Sequence, residues 1–180
     1  DLSLKIGELV DMRWVDVEEA AETGRSNRDV VLGVKVRLSR DIISMDDKLD
    51  ALKRGVEAAE FFGGLVMIHV GDKETSLETL TGHLRPGDVV THAFRQWGGV
   101  ASADREVVAE LKEERSRGII FDVGHGAGSC SFNTIEMALA NGFPPDTISS
   151  DVSTISVEGP VFDLVTTMSK FLHYGMSLYD

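Results

Sequence analysis

The sequence predicts an α/β fold built on parallel strands, specifically part of a (β/α)8 barrel. Short β-branched segments alternate with helical patterns along the whole chain, which implies parallel strands joined by right-handed crossovers. Several β segments also end at a histidine or an aspartate, and the carboxyl ends of parallel strands meet at one face. Five such units could instead form an open doubly wound sheet, so periodicity alone favours the barrel only slightly.

Local signals place each element in order. The predicted strands cover 30–38, 65–70, 89–93, 119–123 and 147–151. The predicted helices cover most of 1–29, then 44–62, 77–84, 104–116, 133–140 and 161–175. Ser44 begins a capping signal for the second helix, and Gly63-Gly64 ends it. The segment RPGD at 85–88 is a turn that leads into the third strand.

Size and composition limit how many domains the chain can form and how much of a barrel it can hold. With 180 residues, 42% of them hydrophobic, residues 1–180 can form one domain with a sizeable core. A complete barrel normally needs roughly 200 residues or more, and the chain offers five strand segments. We therefore expect residues 1–180 to be the C-terminal part of a larger domain.

Charge and cysteine content restrict the classes of partner and the cellular compartment that we expect. The net charge of −12 argues against a nucleic acid or an anionic membrane surface. Cys130 is the only cysteine, which excludes an internal disulfide and fits a reducing compartment. No apolar run approaches the ~20 residues of a membrane span, and no signal peptide opens the chain. We expect a cytoplasmic protein that acts on a small molecule. The sequence leaves open whether it forms a homo-oligomer.

Four residues of metal-binding type lie in or at the ends of the predicted strands: Lys35, His69, His92 and Asp151. Neutral imidazole is a common ligand of zinc and similar ions. A carboxylate can both bind a metal and accept a proton from water. A single histidine at such a place is more often a core residue, but two on successive strands after a lysine favour a metal centre.

Lys35 is unusual because it alternates with apolar residues inside a strand. Val34, Val36 and Leu38 share one face, whereas Lys35 and Arg37 share the other. Burial would lower the pKa of the lysine and make its amine nucleophilic. The amine could then act as a base, form a Schiff base or take up carbon dioxide as a carbamate. An ion-paired or surface lysine is the simpler alternative.

A glycine-rich loop joins the fourth strand to the next helix; residues 124–129 of it, Gly-His-Gly-Ala-Gly-Ser, are called the glycine loop below. Its spacing is not a dinucleotide fingerprint. Binding of a substrate carboxylate or oxyanion beside the metal is more plausible, with His125 as donor and Gly126 giving access to the backbone. A tight strand-to-helix turn is the plain structural alternative.

Seven segments together resemble the amidohydrolase superfamily, in its dihydroorotase-like deacetylase branch. They are GVKVR (33–37), IHVG (68–71), RPGDVVTH (85–92), FDVGHG (121–126), ISSD (148–151), GPVFDL (159–164) and TMSK (167–170). The resemblance implies a (β/α)8 barrel with a mono- or binuclear centre, usually zinc. It implies that Lys35 is the carboxylated bridging lysine, that His69 and His92 bind the second metal, and that Asp151 binds the first metal and shuttles a proton. The resemblance further implies that residues 1–180 form strands 4–8 of the barrel with their helices, without the N-terminal strands and the small β-domain. The strand-1 His-x-His pair of the family is absent from these 180 residues.

The sequence thus predicts a metal-dependent hydrolase that cleaves an amide or ester, with Asp151 as the catalytic residue. Two alternatives remain at this point. The chain could be a non-catalytic β/α domain or remnant that binds a small anion at the glycine loop, or a Schiff-base aldolase that uses Lys35.

Overall fold

The structure is a computed structural model that describes residues 8–40, 42–71, 75–101 and 107–179. Four parallel strands form one sheet in the order β1-β2-β3-β4: β1 (Gly33–Arg37), β2 (Leu65–His69), β3 (Val89–Thr91) and β4 (Ile120–Phe121). Six α-helices are described: α1 (Val17–Ser26), α2 (Lys48–Phe62), α3 (Leu77–Thr81), α4 (Ala109–Arg117), α5 (Phe132–Ala140) and α6 (Leu164–His173). Because neighbouring strands are consecutive in the chain and parallel, a crossover connects each pair.

The fifth predicted strand, 147–151, runs beside the continuation of β4 without forming a full strand. Thr147 makes a parallel bridge to Asp122. Beyond it, His125 N donates to the Ser149 carbonyl at 3.0 Å. The extended run ends at Asp151, whose φ of 46° lies in the left-handed region. The segment therefore continues the parallel order of the sheet, as the sequence predicted, but in shorter form.

The two faces of β1 differ as its alternation predicts. Val36 and Leu38 are buried, whereas the Lys35 side chain is exposed on the opposite face. Gly55 of α2 lies so close to the strand that an added Cβ would stand 2.4 Å from Val36 Cγ2. The core occupies the space between sheet and helices, and the lysine faces away from it.

The RPGD turn fixes the amino ends of β2 and β3. Asp88 is fully buried and accepts hydrogen bonds from Val66 N at 2.7 Å and from Arg85 N at 2.8 Å. The Arg85 guanidinium also donates to both carboxylate oxygens. This buried, fully bonded carboxylate holds the end of the sheet remote from the predicted site.

Several predicted helices are shorter in the structure. The first prediction, 1–29, becomes α1 and a 3-10 turn at Met12–Trp14, with residues 1–7 outside the described part of the chain. Part of the predicted 104–116 helix also falls on residues that are not described, and α4 begins at Ala109. Helix α1 begins at a cap, where the Asp16 carboxylate accepts a hydrogen bond from Glu19 N. The spacing of apolar residues alone does not show where this cap lies. Within the described ranges, no helix is long and apolar enough to cross a membrane.

Candidate metal centre

His69 is the last residue of β2 and lies on the face of the sheet that also carries Lys35. In the parallel register it stands between Arg37 of β1 and Thr91 of β3. Register partners in a parallel sheet point to the same face. The side chains of Arg37, His69 and Thr91 therefore form one layer near the carboxyl ends of the strands.

His92 reaches this layer because the backbone departs from strand geometry. Thr91 already occupies the site-facing position, so strict alternation would direct His92 towards the helices. His92 instead has a φ of 64°, in the left-handed region. Its ring packs edge-on against that of His69, with 4.2 Å between ring centroids. Strained backbone at a non-glycine residue is concentrated at functional sites in proteins.

The hydrogen bonds of His92 fix one tautomer. Nδ1 lies 2.6 Å from the Gly124 carbonyl oxygen, which can only accept, so Nδ1 carries the proton. Nε2 is then a lone-pair acceptor, and it is buried with no hydrogen-bond partner among the described residues. A buried imidazole nitrogen held in this way is prepared for a metal ion.

Both histidines are held in the neutral form that a metal ligand requires. Burial lowers the pKa of His69 most, and together with the nearby charges of His92, Arg37, Lys35 and Arg95 it brings that pKa to about 3. Burial also lowers the pKa of His92, against the opposing effects of the Gly124 hydrogen bond and of Asp151. The charge of Lys35 acts on both histidines, and that of Asp151 acts on His92.

Asp151 stands at the end of the 147–151 segment, with its side chain exposed. The glycine loop holds it from one side: Gly126 N donates to the Ser150 carbonyl at 3.0 Å. A Cβ at Gly126 would lie 2.7 Å from Asp151 Oδ2. The Asp151 carboxylate can occupy this position because Gly126 has no side chain.

His125 is buried, and both of its ring nitrogens have protein partners. Nδ1 lies 2.9 Å from the Gly126 carbonyl oxygen, and Nε2 lies 2.8 Å from Lys170 Nζ. The pKa of His125 is lowered, chiefly by burial. Cys130 is half-buried, and burial raises the pKa of its thiol to about 11, which disfavours the nucleophilic thiolate at neutral pH.

Sequence reasoning missed the structural role of one buried carboxylate, that of Asp122, which supports the site. Asp122 accepts hydrogen bonds from Thr91 Oγ1 at 2.6 Å, Thr147 Oγ1 at 2.8 Å and Ser149 Oγ at 2.6 Å. It therefore ties β3 to the 147–151 segment on either side of the glycine loop. The alternation of hydroxyl residues with apolar ones at the strand ends was a signal, but only the register brings the three hydroxyls to one aspartate.

The chain is similar to a curated deacetylase and to two solved structures. The chain is 35% identical over 173 residues to a deacetylase of Brucella anthropi, covering 96% of this chain and 43% of the relative. It superposes on the crystal structure of a dihydroorotase with a TM-score of 0.87 at 33% identity, over 97% of this chain and 46% of the other. For an adenine deaminase the TM-score is 0.90 at 29% identity, over 96% and 48%. The chain belongs to the amidohydrolase superfamily.

As a member of the amidohydrolase superfamily, the chain has the fold expected from its sequence. The four strands and their helices are part of a (β/α)8 barrel, matched over nearly the whole chain by two solved structures. The chain spans less than half the length of the curated relative and of each solved structure. No family model matches the sequence.

The donor set fits a metal ion of the kind used in this superfamily but is not complete by itself. The unpartnered His92 Nε2, the adjacent neutral His69 and the nearby Asp151 supply nitrogen and oxygen donors. Among the described residues, however, no three His, Cys, Asp or Glu side chains are grouped so that they could hold a metal ion. Lysine is outside that set of residue types, and Lys35 becomes an oxygen donor only after carboxylation.

Proposed function

We propose that this chain carries the second half of the active site of a metal-dependent hydrolase that cleaves amide or ester bonds. The observation that carries the proposal is His92, whose Nδ1 is fixed by Gly124 and whose Nε2 is buried without a partner beside His69. The names of its relatives, a deacetylase and a dihydroorotase, support this class of reaction. The substrate is accordingly a small molecule.

Four residues would hold the metal: His69 and His92 through their imidazoles, Asp151 through its carboxylate, and Lys35 as a carbamate. Imidazole and carboxylate together suit zinc, as one or two ions. When bound, such an ion lowers the pKa of water and polarises the carbonyl group that is attacked.

The residues of the chain then have distinct tasks. Asp151 accepts the proton of the attacking water and delivers it to the leaving group. The Gly124 carbonyl keeps His92 in the tautomer that directs Nε2 into the site. Gly126 borders the carboxylate, and we assign Gly126 and the neighbouring His125 to the substrate, because Gly126 presents no side chain there.

The alternative of a non-catalytic anion-binding domain has less support. It would need free backbone N–H groups in the glycine loop. His125 N and Gly126 N instead donate to the carbonyls of Ser149 and Ser150. These two donors stabilise the backbone and are not directed at a ligand.

The test measures bound zinc per chain and hydrolysis of a panel of N-acetyl and O-acetyl compounds by the complete gene product. We expect hydrolysis of at least one panel member, loss of activity with a chelator, and recovery with zinc. Hydrolysis that persists after complete removal of metal would contradict the proposal. Binding of inorganic phosphate without hydrolysis of any panel member would favour the anion-binding domain.

A further inference from the structure

A lysine on α6 is linked to the candidate metal centre through the glycine loop. Lys170 Nζ donates to His125 Nε2 at 2.8 Å and to the Pro160 carbonyl at 2.6 Å. Because the ammonium group has no acceptor orbital, His125 Nε2 must be the acceptor, and the ring proton is on Nδ1. Nδ1 in turn donates to the Gly126 carbonyl. Lys170 therefore determines both the position and the tautomer of His125.

The glycine loop contacts two of the proposed ligand residues at once. The Gly124 carbonyl fixes His92, and Gly126 lies directly against the carboxylate of Asp151. Gly124 has no room for a side chain, because its φ is 49° and an added Cβ would stand 2.2 Å from Thr91 Oγ1. A movement of the loop therefore displaces His92 and Asp151 together.

Helix α6 is a firm support for this lysine. Thr167 and Phe171 bury their side chains in the core on either side of Lys170. The helix begins at a capped end, where the Asp163 carboxylate accepts from Thr166 N at 2.6 Å. Lys170 itself is half-buried, and burial lowers the pKa of its amine. A lysine of this kind costs stability unless its hydrogen bonds are satisfied, and here two of its three donors have acceptors.

We propose that Lys170 is a positioning residue of the metal centre: through His125 it holds the glycine loop that orients His92 and Asp151. The inference rests on the proposed metal-dependent function. It assigns a role to a residue that contacts none of the four proposed ligands. Outer-shell partners of this kind typically change metal affinity by about 10- to 100-fold when they are removed.

The first test replaces Lys170 with methionine, which keeps an unbranched side chain out to Cε but removes the Nζ donor. Zinc affinity is measured by competition with a coloured chelator, and the geometry of the site by the visible spectrum of the cobalt-substituted protein. We expect zinc to bind at least ~10-fold more weakly and the cobalt spectrum to change, in line with the outer-shell range above. Imidazole ¹⁵N shifts of the metal-free protein should show that His125 loses its single tautomer. All measurements use the complete gene product.

A matched control is Lys112→Met. Lys112 also donates its ammonium to a backbone carbonyl, that of Asn141 at 3.2 Å, but on the exposed outer side of α4. We expect this variant to bind zinc as the unaltered protein does. Equal losses in both variants would show a general effect of removing a lysine and would overturn the proposal.

A double-mutant cycle with His125→Phe separates the route through His125 from a route through Pro160. If Lys170 acts through His125, His125→Phe alone weakens zinc binding, and adding Lys170→Met has little further effect. Additive losses would overturn the proposal. His125→Phe also serves if Lys170→Met does not fold, since unaltered zinc affinity in that variant would contradict the inference by itself. Absence of zinc binding in the unaltered protein would instead refute the proposed function.

Discussion

At the scale of single residues, Gly126 determines how much room the Asp151 carboxylate has. We predict that Gly126→Ala lowers activity at least ~10-fold, because the new Cβ would meet Asp151 Oδ2 at 2.7 Å and displace the carboxylate; misplacement by 1 Å can cost about 100-fold. The left-handed φ of 50° adds a folding cost of about 1–2 kcal/mol. Turnover of an acetylated substrate and urea unfolding measure the two effects.

Gly142→Ala is the matched control for this variant. Gly142 has a φ of 68°, but nothing lies within 4 Å of an added Cβ. We expect a similar loss of stability and unchanged turnover. An equal loss of turnover in both variants would mean that backbone strain, and not the contact with Asp151, impairs the enzyme.

Lys35 is exposed on the site face of β1, close enough to the histidine pair to lower the pKa of both. We predict that Lys35→Ala removes activity, because a carbamate oxygen ligand is lost, and that short carboxylic acids restore part of it. Turnover is measured with and without added acid. Full activity of Lys35→Ala would exclude the carbamate role, and Lys112→Ala controls for the loss of a positive charge.

The metal-free protein should lose stability in acid because of His69. Its pKa is about 3 in the folded state and 6.5 ordinarily, so between these values the unfolded chain binds more protons. The free energy of unfolding therefore falls as the pH decreases from about 6.5 towards 3. Urea unfolding with a chelator present should show a shallower decline in His69→Gln. The control is His173→Gln, because His173 is exposed. An identical decline in His69→Gln and in the unaltered protein would contradict the assignment to His69.

At the scale of elements, two buried aspartates hold the two ends of the sheet. Asp122 accepts three hydroxyl donors at the site end, and Asp88 binds Val66 and Arg85 at the other end. Hydrogen bonds to a charged group contribute about 1.5–3 kcal/mol each. Each carboxylate is therefore a major connection between neighbouring strands.

We predict that Asp122→Ala and Asp88→Ala both destabilise the fold by about 3 kcal/mol or more, but that only Asp122→Ala weakens zinc binding. The reason is position: Asp122 joins Thr91 to Ser149 beside the ligands, whereas Asp88 lies remote from them. Urea unfolding and zinc competition measure the two effects. Equal zinc affinity in the folded fraction of both variants would show that the site does not depend on the Asp122 connection.

At the scale of the whole molecule, β1 forms an edge of the described sheet. Val30 and Leu32, which lead into it, are 74% and 76% exposed. Apolar side chains next to an edge strand favour association with another strand. Helix α6 also exposes apolar residues, Val165 among them.

We predict that residues 1–180 alone bind zinc weakly, hydrolyse poorly and tend to associate. The physical reason is that no complete ligand group forms within the described residues and that a water-activating centre needs its full ligand set in fixed geometry. A protein extended N-terminally to the length of the relatives should bind zinc stoichiometrically and turn over the acetylated panel. Equal, efficient turnover by the short chain would show that the additional strands are dispensable.

The sequence by itself determined the fold class and the position of most strands. Alternating β and helical patterns are local signals, and the faces of β1 follow from its period of two residues. The sequence also identified Lys35, His69, His92 and Asp151, because their residue types and their places in or near strand ends can be read without a structure. Their roles as ligands stay a prediction.

Only the tertiary structure decided how these residues meet. The left-handed backbone of His92 turns its ring towards His69, against the alternation of the strand. The hydroxyl cluster around Asp122 and the contact from Lys170 to His125 join residues at least 25 positions apart. Such contacts depend on register, on loop closure and on the exclusion of side chains at glycines. These are properties of packing in three dimensions, so no periodicity along the chain records them.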